Sequence, residues 1–171
     1  MIWNGWGYNS NYDELNIVPS LEYEINDFEF YISYNRKQFL PQGTFDNEIG
    51  SGVSYGELPY NISLAFDWYH SFAIDGSFFE FSLGTEINPV QHLTIQPAIV
   101  LGINENYISD GHDGTNHLSL QLDGEYELAR NFNLLGNLAY NIAIDSDPAT
   151  YAGDASLKSF IWGGIGFEIL F

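Results

Sequence analysis

The sequence has no cysteine, one methionine and only four basic residues: Arg36, Lys37, Arg130 and Lys158. Without cysteine there is no disulfide framework and no thiolate metal site. Four scattered bases exclude nucleic acid as a partner, because gripping a phosphate backbone takes clustered Lys and Arg. Against them stand 23 acidic residues, a formal charge of −19 over 171 residues. Charged residues are still scarce, 16% of the chain, where average globular usage is about a quarter. No run approaches the ~18 apolar residues of a transmembrane helix. Met1–Tyr8 has neither the basic end nor the apolar stretch of a cleavable signal, so an exported chain is expected here in mature or trimmed form.

What the chain has in quantity is aromatic residues: 4 Trp, 12 Tyr and 13 Phe. A chain that is 45% hydrophobic can bury enough surface to fold despite its charge. The length suits one domain, residues 1–171.

The hydrophobic period is two. Leu58, Tyr60, Ile62, Leu64, Phe66 and Trp68 alternate with Pro59, Asn61, Ser63, Ala65 and Asp67. Leu118, Leu120, Leu122, Gly124, Tyr126 and Leu128 alternate with polar residues, and so do Phe132, Leu134, Gly136, Leu138, Tyr140 and Ile142. Successive strand residues face opposite ways, so each segment has one apolar and one polar face. No stretch has helical periodicity. Nine strands are predicted: Leu15–Glu24, Asp27–Asn35, Glu48–Tyr55, Leu58–Tyr69, Ser77–Ile87, His92–Asn104, Asn116–Glu127, Asn131–Ile144 and Leu157–Phe171. Several reach the ~9–11 residues that cross a bilayer at a tilt.

The predicted links alternate in length. Short ones are Ile25-Asn26, Gly56-Glu57, Asn88–Gln91 and Leu128–Arg130; long ones are Arg36–Asn47, His70–Gly76, Glu105–Thr115 and Asp145–Ser156. All short links fall at one end of the sheet, the pattern of an outer-membrane barrel with tight periplasmic turns. Tyr23, Phe28, Tyr55, Tyr60, Tyr126 and Phe132 flank three of the four short turns on the apolar face. That is where a membrane-interface girdle of aromatic rings belongs. The chain ends Trp162-Gly-Gly-Ile-Gly-Phe-Glu-Ile-Leu-Phe171, with Ile165, Phe167, Ile169 and Phe171 on one face. This resembles the C-terminal assembly signal of bacterial outer-membrane barrels, and it implies the barrel assembly machinery and the lipid bilayer as partners.

The whole-chain pattern further resembles the TorF-like porin family of small outer-membrane barrels. The likeness lies in the Ile2-Trp3-Asn4-Gly5 opening, the Val18-Pro19-Ser20-Leu21 that follows, the Tyr-rich strand pairs and the closing Gly163-Gly164-Ile165-Gly166-Phe167. It implies an even-stranded antiparallel up-and-down barrel in the outer membrane with a channel role. Nine strands break that parity, since single-chain bacterial barrels close with an even number. Either Ile2–Tyr8 supplies a short tenth strand or the first strand is missing; ten is the expected parent number.

In such a barrel the polar face fills the lumen. Its expected residues are Glu22, Glu24, Glu29, Asp67, Glu80, Glu86, Gln96, Asp123, Glu125 and Glu168, with the bases held to turns and outside loops. Two readings stand side by side: carboxylates that attract cations into a pore, or side chains that plug an interior of this size. A third is a soluble lipocalin-like barrel, its apolar face inward around an apolar ligand. Asp110, His112, Asp113 and His117 are a candidate metal set in an outside loop, although Gly and Asp equally suit the turns of that loop. Asp145, Asp147 and Asp154 are a comparable calcium candidate. Asp67 and His70 differ in strand parity and so make no catalytic pair. The chain is therefore expected to be no enzyme, to need no cofactor, and to pass small solutes or cations across the outer membrane.

Overall fold

The computed structural model describes residues 2–6, 13–40, 43–108 and 110–169. The period-two segments form strands wherever turn residues release them. Asn26 takes a left-handed conformation (φ 52°) and His92 does the same (φ 67°), each in a tight reversal between paired strands. Asn tolerates this region because its short polar side chain bonds locally.

Among the described residues twelve strands result: β1 Ile2–Trp6, β2 Asp13–Ile17, β3 Ser20–Ile25, β4 Phe28–Phe39, β5 Thr44–Leu58, β6 Ile62–Ser71, β7 Gly76–Thr85, β8 Ile87–Val90, β9 Leu93–Glu105, β10 Gly114–Ala129, β11 Phe132–Ala143 and β12 Phe160–Ile169. All pairings between them are antiparallel. The sheet runs β1-β2-β4-β5-β6-β7-β9-β10-β11-β12, with β3 also on β4 and β8 also on β9. β2 and β3 are one predicted strand interrupted at Val18-Pro19. Proline has no N–H for the ladder, and the Tyr34 N–H still reaches the Pro19 carbonyl at 3.1 Å. The predicted strand Ser77–Ile87 ends at Thr85 as β7, and β8 takes up most of the predicted Asn88–Gln91 link. The path therefore has ten positions, of which Ile2–Trp6 is the first. The sheet curls into a half-barrel, and among the described residues no ladder joins β1 to β12.

Two predicted long links are short. β4 continues through Lys37 to Phe39 and β5 begins at Thr44, leaving residues 40–43 between them. Residues 72–75 join β6 to β7. Of the four predicted long links, those at 106–113 and 144–159 stay extended. The short links also shift. A 3-10 turn at Pro59–Asn61 replaces the predicted Gly56-Glu57 link, and Phe132 pairs back to Ala129 across Arg130-Asn131.

The two faces of the sheet are opposite in character. The most deeply buried side chains are small and polar: Ser71, Asn104 and Ser119 are at or below 1% exposure. The most exposed large ones are apolar, among them Leu21, Phe30, Ile32, Leu64, Phe81, Leu83, Ile99, Leu122, Leu138, Ile165 and Phe167. The concave face is thus polar and sheltered, and the convex face is apolar and uncovered. No described helix is long and apolar enough to cross a membrane, which says nothing of a β-barrel.

Candidate functional site

Register puts the predicted acids on the concave face. Glu22 pairs with Tyr31, Tyr31 with Gly52, Gly52 with Asp67, Asp67 with Glu80, and Glu80 with Gly102. Glu24 pairs with Glu29, Gln96 with Asp123, and Thr94 with Glu125. Glu86 holds the Asn88 amide at 2.9 Å and lies 3.5 Å from the Gln96 amide. Glu125 accepts from the Asn133 amide at 2.6 Å. Glu168 pairs with Asn133, which continues the same parity.

This face divides along the strands by side-chain size. Toward the short turns the floor is small: Ser54, Ser63, Ser82, Gly84 and Ala98 on one side, Gly164 and Gly166 on the other. Two cavities of about 560 and 390 Å³ lie there, and Gln96 and Asp123 line both. Their rim carries Glu29, Glu86, Asp123 and Glu125, with no lysine or arginine.

Toward the long loops large side chains crowd the interior, beside a cavity of about 310 Å³ lined by Phe78, Tyr107, His117 and Lys158. The Tyr31 hydroxyl donates to Asp67 Oδ1 at 2.7 Å and lies 3.4 Å from the Tyr69 hydroxyl. Lys37 Nζ is 2.7 Å from Glu48 Oε2 and donates to the Tyr107 hydroxyl at 2.6 Å. Tyr107 in turn donates to Glu48. The Tyr107 ring lies 5.6 Å from Phe78, and Phe78 stacks on His117 at 5.9 Å. These residues, apart from Asp67 and His117, are absent from the predicted set. Lys37 was expected outside, in a loop; it stands in β4 on the concave face, opposite Asp46.

The candidate metal residues do not converge. The Asn106 N–H donates to Asp113 Oδ1 at 2.7 Å, and His117 lies against Phe78. His112 Nδ1 is 2.8 Å from Asp154 Oδ2, and its Nε2 is 2.8 Å from the Thr115 carbonyl. Among the described residues no group of three His, Asp or Glu side chains could hold a metal ion. Asp154, also a calcium candidate, instead ties two loops together. It takes the N–H groups of His112 at 3.1 Å and Asp147 at 2.8 Å. With both ring nitrogens against acceptors, His112 is pushed above its ordinary value, first by the Thr115 carbonyl and then by Asp154. Asp154 is held below the usual carboxylate range, chiefly by the Asp147 N–H and then by His112.

Asp67 and His70 fall on opposite faces, with His70 Nδ1 3.2 Å from the Ser77 hydroxyl. The predicted girdle residues lie at the short-turn end of the convex face. Phe28 and Tyr55 rings are 4.8 Å apart, Phe132 stacks on Phe167 at 5.4 Å, and Tyr23, Tyr60 and Tyr126 are exposed. Of the C-terminal residues, Phe167 is exposed on the convex face and Ile169 pairs with Phe132. Phe171 lies outside the described residues. No protein-family model matches the chain, and no curated protein matches it.

Proposed function

We propose that the chain is an outer-membrane β-barrel of ten strands, closed where β1 meets β12, with a narrow acidic interior that passes small cations and small polar solutes. The likeness to the TorF-like porins points the same way. The observation that carries the reading is the inversion of the faces. Leaving one large apolar side chain in water forgoes about 1.5–3 kcal/mol. The eleven side chains named above are between 41% and 82% exposed, so together they would forgo an amount comparable to the whole stability of an ordinary domain, about 5–15 kcal/mol. Hydrocarbon removes that cost. It also requires every backbone group of the strands to be paired, which favours closure. Ten alternating positions leave β1 and β12 antiparallel, the relation a single-chain barrel needs. The same inversion argues against the lipocalin-like alternative, which requires apolar side chains within.

A second reading has its own support: a plugged barrel that anchors its outside loops as a binding surface. The bar that Tyr107, Lys37 and Glu48 set across the loop-side interior favours it. One set of measurements separates the readings. The barrel requires detergent for extraction and shows a heat-dependent shift in gel migration. The passage requires conductance in planar bilayers, with a reversal potential that favours K⁺ over Cl⁻. A heat shift without conductance selects the plugged anchor. A chain soluble without detergent and without a shift overturns both.

A further inference from the structure

We infer that Tyr107, braced by Lys37 and Glu48, is the constriction that narrows the loop-side half of the interior and sets what crosses it. This deepens the passage reading above and rests on it.

Tyr107 follows β9, whereas Lys37 and Glu48 belong to β4 and β5. β6 and β7 separate the two groups in the sheet, so the contact crosses the concavity rather than running along it. On one side the Tyr107 hydroxyl meets both members of the Lys37–Glu48 pair. Lys37 Nζ also lies 5.3 Å from the centre of the ring. On the other side the ring rests on Phe78, and Phe78 rests on His117. That aromatic wall is seated over Gly102, where a Cβ would stand 2.5 Å from the His117 ring and 2.9 Å from Phe78. The backbone beside Tyr107 is fixed as well. The Ile108 N–H donates to Asn104 Oδ1 at 2.8 Å, and the Asn106 amide donates to the Asp75 carbonyl at 3.2 Å.

The arrangement has two consequences for a passing ion. Tyr107 occupies the space where the large side chains converge, above the two small-floored cavities. Lys37 is the one lysine or arginine at a concave strand position among the described residues, and its charge is spent on Glu48 at the constriction. A cation entering from the short turns meets uncompensated acids first and a neutralised bar last.

The test uses the full chain in planar bilayers, in KCl, with the heat-dependent gel shift confirming that each variant folds. Tyr107→Ala is expected to raise single-channel conductance severalfold over the native chain. Tyr107→Phe keeps the ring and deletes its hydrogen bonds, so it is expected to fall between them. Lys37→Met is expected to raise the K⁺/Cl⁻ permeability ratio at least twofold. Equal conductance for the native chain and Tyr107→Ala overturns the constriction and leaves the passage standing. A heat-shifted Tyr107→Ala that does not conduct overturns the constriction too, because other side chains then close the interior. Absence of a heat shift in the native chain removes the barrel and the inference with it.

Discussion

Tyr31 and Asp67 meet over Gly52. Both side chains come from strands flanking β5, and the phenol donates to the carboxylate at 2.7 Å directly above the glycine. A Cβ at position 52 would stand 2.3 Å from the Tyr31 ring and 2.4 Å from Asp67 Oδ1. Neither contact is tolerable, so Gly52→Ala must displace the pair. Overpacking of this kind costs about 1–3 kcal/mol. Tyr31→Phe, which deletes only the donor, should cost about 1 kcal/mol. Urea unfolding in lipid vesicles measures both. A neutral Gly52→Ala would mean that the two side chains do not share this seat.

Much of the face alternation behind that contact was legible in the sequence, because β-strands have a period of two and tight turns fix register. The ends of the strands were not legible. Arg36, Gln38 and Asn47 are polar and fall on the convex face, where apolar residues mark the middle of a strand. Near its end a strand leaves the apolar band and both parities turn polar. Lys37 and Glu48 were therefore read as loop or left out of the interior set. Tyr107 carried no signal. It lies in a connection without periodicity, and its partners are 70 and 59 residues away. His112 and Asp154 stand out in the sequence only as members of two separate metal candidates; their pairing, 42 residues apart in two loops, carried no signal.

The His112–Asp154 bond should give the two long loops a pH window. Raising the His112 value makes its contribution complete below 6.5, the ordinary value, and lost as pH rises through the higher folded value. Lowering the Asp154 value makes its contribution complete above 3.8 and lost as pH falls through the lower folded value. Protection of residues 144–159 from proteolysis should therefore hold between these limits and fade beyond each. Asp154→Asn removes the carboxylate and should flatten the acid limb. Loops equally protected at pH 5 and pH 9 in the native chain would show that the bond does not pin them.

Leu122 distinguishes a lipid-facing wall from a water-facing one. It stands mid-strand in β10, paired with Leu138 and Pro97, and is 45% exposed. An arginine at the midplane of a membrane barrel costs about 2–4 kcal/mol. An exposed substitution on a water-facing surface usually stays within about 0.5 kcal/mol. Leu122→Arg should destabilise the vesicle-refolded chain by the larger amount, read from the shift in its urea midpoint. A midpoint unchanged within error would place this face in water.

Closure can be tested through what the chain lacks. With no native cysteine, two introduced thiols report on each other alone. β1 and β12 end the strand path, and lipid penalises unpaired backbone at both edges. Asn4→Cys combined in turn with Cys at Gly163, Ile165 and Phe167 should yield, for at least one pair, an oxidised product that migrates as a monomer and resists heat-driven opening. If the edges instead meet those of a second copy, the same thiols would join two chains, and the product would run as a dimer at every dilution. Dimers alone would overturn single-chain closure and replace it with a barrel built from two curled sheets.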